Sequence, residues 1–162
     1  MPFYPYSSDD GFAVVDYKKI QNEHGEWSDF SKLSLKYKVM TDLVINHCSS
    51  KNTLFQNFLN SVEPGLDFFI SKNKNFNNFS KVVRPRSSSL SKKVKINGKN
   101  KFVWCTFSHD QIDFNFKNPD VLIFFLKIIK FYIDKGSSAL RLDAVAFLWK
   151  KIGTNCINLP ET

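Results

Sequence analysis

Between Asn118 and Asn155 the chain spells out a helix, an abrupt stop and a strand, and few architectures accept that order. Asn118 is a strong N-cap and Pro119 suits the first helical position, where its missing N–H costs nothing. The apolar run Val121 to Ile133 predicts a helix that continues to Lys135, with Gly136 as the left-handed stop. A strand over Ser138 to Leu142 follows at once, and the pattern then predicts a second helix from about Ala146. Upstream, a short helix over Ser28 to Tyr37 precedes an extended run, Lys38 to Ile45. Strand, long excursion, helix, strand, helix is the rhythm of a parallel α/β fold. The later strand ends in Arg141 and Asp143, which as i and i+2 neighbours point to the same side. Burying either charge unpaired costs several kcal/mol. The pair is therefore either a structural ion pair or a carboxylate kept ionised for chemistry.

The excursion has its own character. Asn52 to Val62 reads as a helix with Leu54, Phe55, Phe58 and Leu59 on one face. From Lys72 to Lys101 the composition shifts to Asn, Lys and Ser, with a hairpin turn expected at Asn97-Gly98. Hydrophobic residues make up 43% of the 162, including 17 Phe, which is enough to build the core of one domain. The most apolar run, Val121 to Ile133, is interrupted by Lys127 and Lys130 and is too short to span a bilayer, so no membrane role is expected. Net charge is +8, yet lysines such as Lys18, Lys72, Lys101, Lys127 and Lys150 are spread without a long block, which disfavours specific nucleic-acid binding. Cys48, Cys105 and Cys156 lack metal-site spacing and read as reduced thiols. Met1-Pro2-Phe3-Tyr4 leads straight into polar turn residues rather than a signal peptide, so a cytoplasmic location is expected.

Four stretches carry chemistry: SSDDGF (Ser7 to Phe12), DLVINH (Asp42 to His47), TFSHDQID (Thr106 to Asp113) and LRLDAVAFLWKKIGT (Leu140 to Thr154). Singly, each has a bland alternative in a turn, a capped strand end, a core aromatic or a solvated edge. In this order and spacing the chain resembles the alpha-amylase superfamily, glycoside hydrolase family 13. DLVINH looks like the family's first conserved region, at the third barrel strand. LRLDA looks like the second, at the fourth strand, and QIDFN takes the place of a further segment late in the excursion. DDGFAVVDYKKI, WCTFSHDQIDFN and DAVAFLWKKIGTNCINLPET look most like the sucrose phosphorylase group, which includes phosphorylases of sucrose and of glucosylglycerate. Ala146 and Phe147 stand where starch-degrading members often carry Lys-His.

The resemblance implies a partial (β/α)8 TIM barrel, about strands 3 and 4, with an inserted domain B. Residues 1–48 would be barrel, 49–112 the domain B-like excursion, and 113–162 barrel again. It makes Asp143 the nucleophile of a retaining α-glucosyl transferase or phosphorylase, hydrogen-bonded and oriented by Arg141. Asp9 and His47 would bind hydroxyls of the glucosyl ring, Phe12 would wall that subsite, and Phe107 and Gln111 would lie nearer the acceptor or leaving group. The substrate implied is a small α-glucoside such as sucrose, with phosphate as acceptor. Asn46, whose counterpart ligates calcium in many amylases, is expected to be structural, and neither metal nor cofactor is expected. The family's acid/base Glu belongs to the fifth strand and its His-Asp pair to the seventh, both beyond Asp143, and Glu161 does not fill the acid/base role. The first two strands would precede Met1. A slice of this kind could instead be a non-catalytic remnant, or a half that binds sugar or a complementing chain carrying the missing strands. A basic nucleic-acid-binding module is the more distant alternative.

Overall fold

The computed structural model describes residues 2–162. Helix α1 (Trp27–Ser34) leads into strand β1 (Val39–Val44), followed by β2 (His47–Ser49) and α2 (Thr53–Asn60). Next come β3 (Ser71–Lys72), the hairpin β4 (Ser91–Ile96) and β5 (Lys99–Trp104), β6 (Gln111–Asp113), α3 (Pro119–Asp134) and β7 (Ser137–Asp143). β1 and β7 pair in parallel, with Asp42 opposite Arg141 and Val44 opposite Asp143. Parallel neighbours need a long crossover, and the excursion plus α3 supplies it. The chain leaves β1 along β2 and returns antiparallel along β6, His47 opposite Asp113 and Ser49 opposite Gln111. β3, β5 and β4 form a separate antiparallel sheet. The two parallel strands do not close into a barrel.

Local chemistry sets most of these boundaries. The Asn118 side chain accepts from the Asp120 N–H at 3.0 Å, and Asn52 accepts from the Leu54 N–H at 2.9 Å, so α3 and α2 start where their caps dictate. Gly136, at φ 108°, ends α3 against α1, and a Cβ there would collide with Ser34 Oγ. The β4–β5 turn places Asn97 and Gly98 at φ 48° and 73°, the doubly left-handed form that suits a two-residue hairpin.

Val121, Phe125, Ile128 and Tyr132 recur at helical spacing and form the buried stripe of α3. Phe125 meets Tyr17 and Phe114 edge-on at ring separations of 5.6 and 5.1 Å. Tyr17 spans the layers, its hydroxyl donating to the carbonyl of Val44 or of His47 at 2.9 and 2.8 Å. The excursion adds a smaller cluster around Trp104, with Phe76, Phe79 and Cys156.

The second helix expected from about Ala146 does not form. After β7 the chain makes a single 3₁₀ turn, Val145–Phe147, and then runs on in turns. Lys150 is drawn inward, and its ammonium lies 2.8 Å from Asn46 Oδ1, 2.7 Å from Asp113 Oδ2 and 2.5 Å from the Phe147 carbonyl. A continuing helix would offer that carbonyl to the N–H of Lys151. A buried ion pair outcompetes one turn of local helix propensity. Among the described residues no helix is long and apolar enough to cross a membrane.

Candidate active site

The polar side chains at issue gather beyond the C-terminal ends of the parallel pair. A cavity of about 180 Å³ is lined by Asp9, Phe12, His47, Arg86, Phe107, Gln111 and Asp143. Six of these are the sequence-derived candidates. Arg86 was not foreseen, because a lone arginine in RPRSSS has no local signature. It reaches across from the excursion to Asp9, Nη2 to Oδ1 at 3.4 Å.

Arg141 corrects the expectation in one respect. Its Nη2 is 3.8 Å from Asp143 Oδ1, too long for a hydrogen bond, while its Nε is 2.9 Å from Asp42 Oδ1. The parallel register sets Asp42 opposite Arg141, so the guanidinium's tighter partner is the neighbouring strand's carboxylate. It holds Asp143 by charge from one side and does not line the cavity. Burial lifts the Asp143 carboxyl above its ordinary pKa, with Asp42 and Asp9 adding to the rise and Arg141 opposing it. The site thus combines a half-buried carboxylate with a cation that counters its desolvation.

His47 is held on both ring nitrogens. Asn46 Nδ2 lies 3.2 Å from Nδ1, and Nε2 lies 3.0 Å from the Phe12 carbonyl. The Phe12 carbonyl calls for a proton on Nε2, whereas the Gln111 Nε2 amide, 3.1 Å from the same ring nitrogen, would donate to it. Phe107 packs on the imidazole at a ring separation of 4.9 Å and meets Phe147 edge-on at 5.3 Å. Gln111 donates from Nε2 to Asp9 Oδ2 at 2.9 Å. Its Oε1 is buried without a hydrogen-bond partner among the described residues. A buried acceptor without a partner costs free energy.

Three loops are tied together beside the cavity by Asp110. Its carboxylate accepts from Ser8 Oγ at 2.6 Å, from Ser50 Oγ at 2.5 Å and from Ser7 Oγ. Burial alone would raise its pKa, but the hydroxyls of Ser50, Ser7 and Ser8 bring it below the ordinary value.

A calcium ion on Asn46 does not fit. Asn46 Oδ1 and Asp113 Oδ2 already face the Lys150 ammonium, and Asp113 also accepts from the Thr106 N–H and hydroxyl at 2.8 and 2.6 Å. A fixed monovalent cation occupies the position from which those oxygens could grip a divalent one. Among the described residues no cluster of His, Cys, Asp and Glu could hold a metal.

Burial presses the His47 pKa down from 6.5 to about 4, against the pull of Asp113. The unfolded chain therefore takes up this proton first. Its contribution to stability is complete above pH 6.5 and is lost as pH falls towards 4, about 3 kcal/mol in all. Urea unfolding of the chain across that window should show this loss, and a His47→Gln variant should lack it. Identical pH slopes in the two proteins would contradict the assignment.

Two parallel strands that bring the candidate side chains to one C-terminal end follow the plan of (β/α)8-barrel enzymes, and this is the class defined here. The alpha-amylase catalytic-domain profile ("Alpha amylase, catalytic domain") matches residues 1–161, and the chain belongs to that family. It is 44% identical over 162 residues to a glucosylglycerate phosphorylase of Spirochaeta thermophila, covering 100% of this chain and 27% of the relative. It is 43% identical over 164 residues to the glucosylglycerate phosphorylase of Escherichia coli, covering 100% and 29%. Among solved structures, the sucrose 6F-phosphate phosphorylase of Thermoanaerobacter thermosaccharolyticum superposes with TM-score 0.89 at 32% identity, covering 99% of this chain and 36% of that one. An isomaltulose synthase mutant of Erwinia rhapontici in complex with sucrose gives TM-score 0.78 at 28% identity, covering 92% and 28%. The chain thus spans 27% and 29% of the length of those two curated relatives.

Proposed function

We propose that these residues form the nucleophile-bearing side of the glucosyl subsite in an α-glucosyl phosphorylase of the sucrose phosphorylase group. The observation that carries this is the convergence of Asp9, His47, Gln111 and Asp143, from four separate segments, on one small cavity. A structural Arg–Asp pair requires no such gathering, whereas a sugar ring does. Asp143 is the nucleophile, and Arg141 favours its ionised form at a distance while bonding Asp42. His47 and the Asp9 carboxylate stand beside the ring hydroxyls. Phe12 and Phe107 offer apolar faces to C–H groups. Arg86, at the cavity wall beside Asp9, supplies positive charge for a phosphate acceptor. The substrate is a small α-glucoside such as sucrose, the setting is cytoplasmic, and the division into barrel segments 1–48 and 113–162 around an inserted 49–112 goes with this assignment.

Covalent trapping tests it. Residues 1–162 would replace the matching segment of the E. coli phosphorylase, and the chimera would be treated with a slow fluorinated glucosyl donor. Peptide mass spectrometry should find the glucosyl label on Asp143. An active chimera labelled at any other residue would sink the assignment.

A further inference from the structure

The net charge of the chain hides a sharp partition. Residues 68–109 contain ten basic side chains and no carboxylate, leaving thirteen basic against fifteen acidic residues in the remaining 120. The whole positive excess therefore sits in the excursion, although its lysines form no long block. Cations crowded without internal counter-charges repel one another, and a bound anion relieves that repulsion. The lobe's recorded ion pair with the rest of the chain is Arg86 to Asp9. Arg84 is turned to the Cys105 carbonyl at 3.0 Å, and the Lys72 ammonium rests over the ring of Phe79 at 4.9 Å.

The lobe also has a place to put an anion. A hollow of about 490 Å³ is lined by Lys72, Lys74 and Lys101 together with asparagines that include Asn73 and Asn77. No carboxylate borders it, and it shares no lining residue with the cavity around Asp143. Ammonium groups provide charge and amides provide neutral donors, a combination that suits an oxyanion with several acceptor oxygens. Its volume falls within the ~300–1,000 Å³ of small-molecule pockets, so it has room for more than a bare ion.

We propose that this hollow is an oxyanion site for a phosphate group, free or esterified to a sugar, separate from the cavity that contains Asp143. It stands independently of the glucosyl-transfer assignment, because its test reads lysine protection and not turnover. The 162-residue chain would be acetylated at constant ionic strength with sodium phosphate, glucose 1-phosphate or glucose, and each lysine followed by mass spectrometry. Once phosphate exceeds its Kd tenfold, labelling of Lys72, Lys74 and Lys101 should slow about tenfold relative to Lys127 on α3 and Lys135 at its C-cap. Glucose should protect nothing, and the stronger of the two phosphates identifies the source. A Lys72→Gln/Lys74→Gln variant should lose the protection at Lys101, while Lys93→Gln/Lys95→Gln on the hairpin, which removes equal charge outside the hollow, should keep it. Uniform slowing at every lysine, equal protection by glucose, or loss of protection in both variants would overturn the proposal.

Discussion

Replacing Lys150 with methionine is expected to destabilise the chain by about 3–5 kcal/mol, the cost of leaving a buried charge without its partner. The charge left behind is Asp113, fully buried 2.7 Å from the ammonium. Burial disfavours the charged form of Lys150 and Asp113 opposes that, so neither group is comfortable without the other. The double variant Lys150→Met/Asp113→Asn should recover much of the loss, because replacing a buried pair together is often close to neutral. Urea unfolding midpoints of the parent and the variants decide the matter. A single Lys150→Met chain as stable as the parent would mean that the ammonium does not hold these three segments together.

The 162 residues alone should release no measurable glucose 1-phosphate from sucrose and phosphate. A positioned general acid–base group contributes ~10²–10⁴-fold. Retaining glycoside chemistry also needs it about 5–5.5 Å from the nucleophile. Among the described residues, the carboxylate that lines the cavity with Asp143 is Asp9, and both of its oxygens are engaged, by Arg86 and by Gln111. Glu161 pairs with Lys151 at 2.8 Å and lies outside the cavity. A phosphate-dependent burst of product from the pure chain would show that a carboxyl group already present can serve as acid. In the chimera described above, by contrast, Asp143→Asn should lower kcat by at least about 10⁴-fold, as loss of a nucleophile does.

What the sequence made legible was local. Asn118, Pro119 and Gly136 bound α3 through hydrogen bonds and backbone angles within a few residues, so its extent could be read directly. Asn97-Gly98 specified its hairpin for the same reason. The missing helix after β7 had a cause 37 residues away, where Asp113 draws in Lys150. Helical spacing around Phe147 carries no trace of that. The partnership of Arg141 with Asp42 depended on the register of two strands nearly a hundred residues apart, which no pattern within either strand encodes. Arg86 was invisible because its meaning comes only from the cavity it reaches. Convergence of the remaining candidates could be expected only through the family resemblance, since their spacing alone defines no geometry.

The short return strand β6 constrains where the chain can lengthen. Gln111 and Asp113 are alternate residues of one strand, so they project to the same side, one serving the cavity and the other Lys150. A one-residue slip in the register of β6 would reverse both at once, so no shift of that strand moves the pocket residue while sparing the scaffold. At the Asn97-Gly98 tip, chain length is set by an exposed turn that touches neither. Lengthening of the excursion at that tip is therefore expected to disturb the site less than any change of register in its stem.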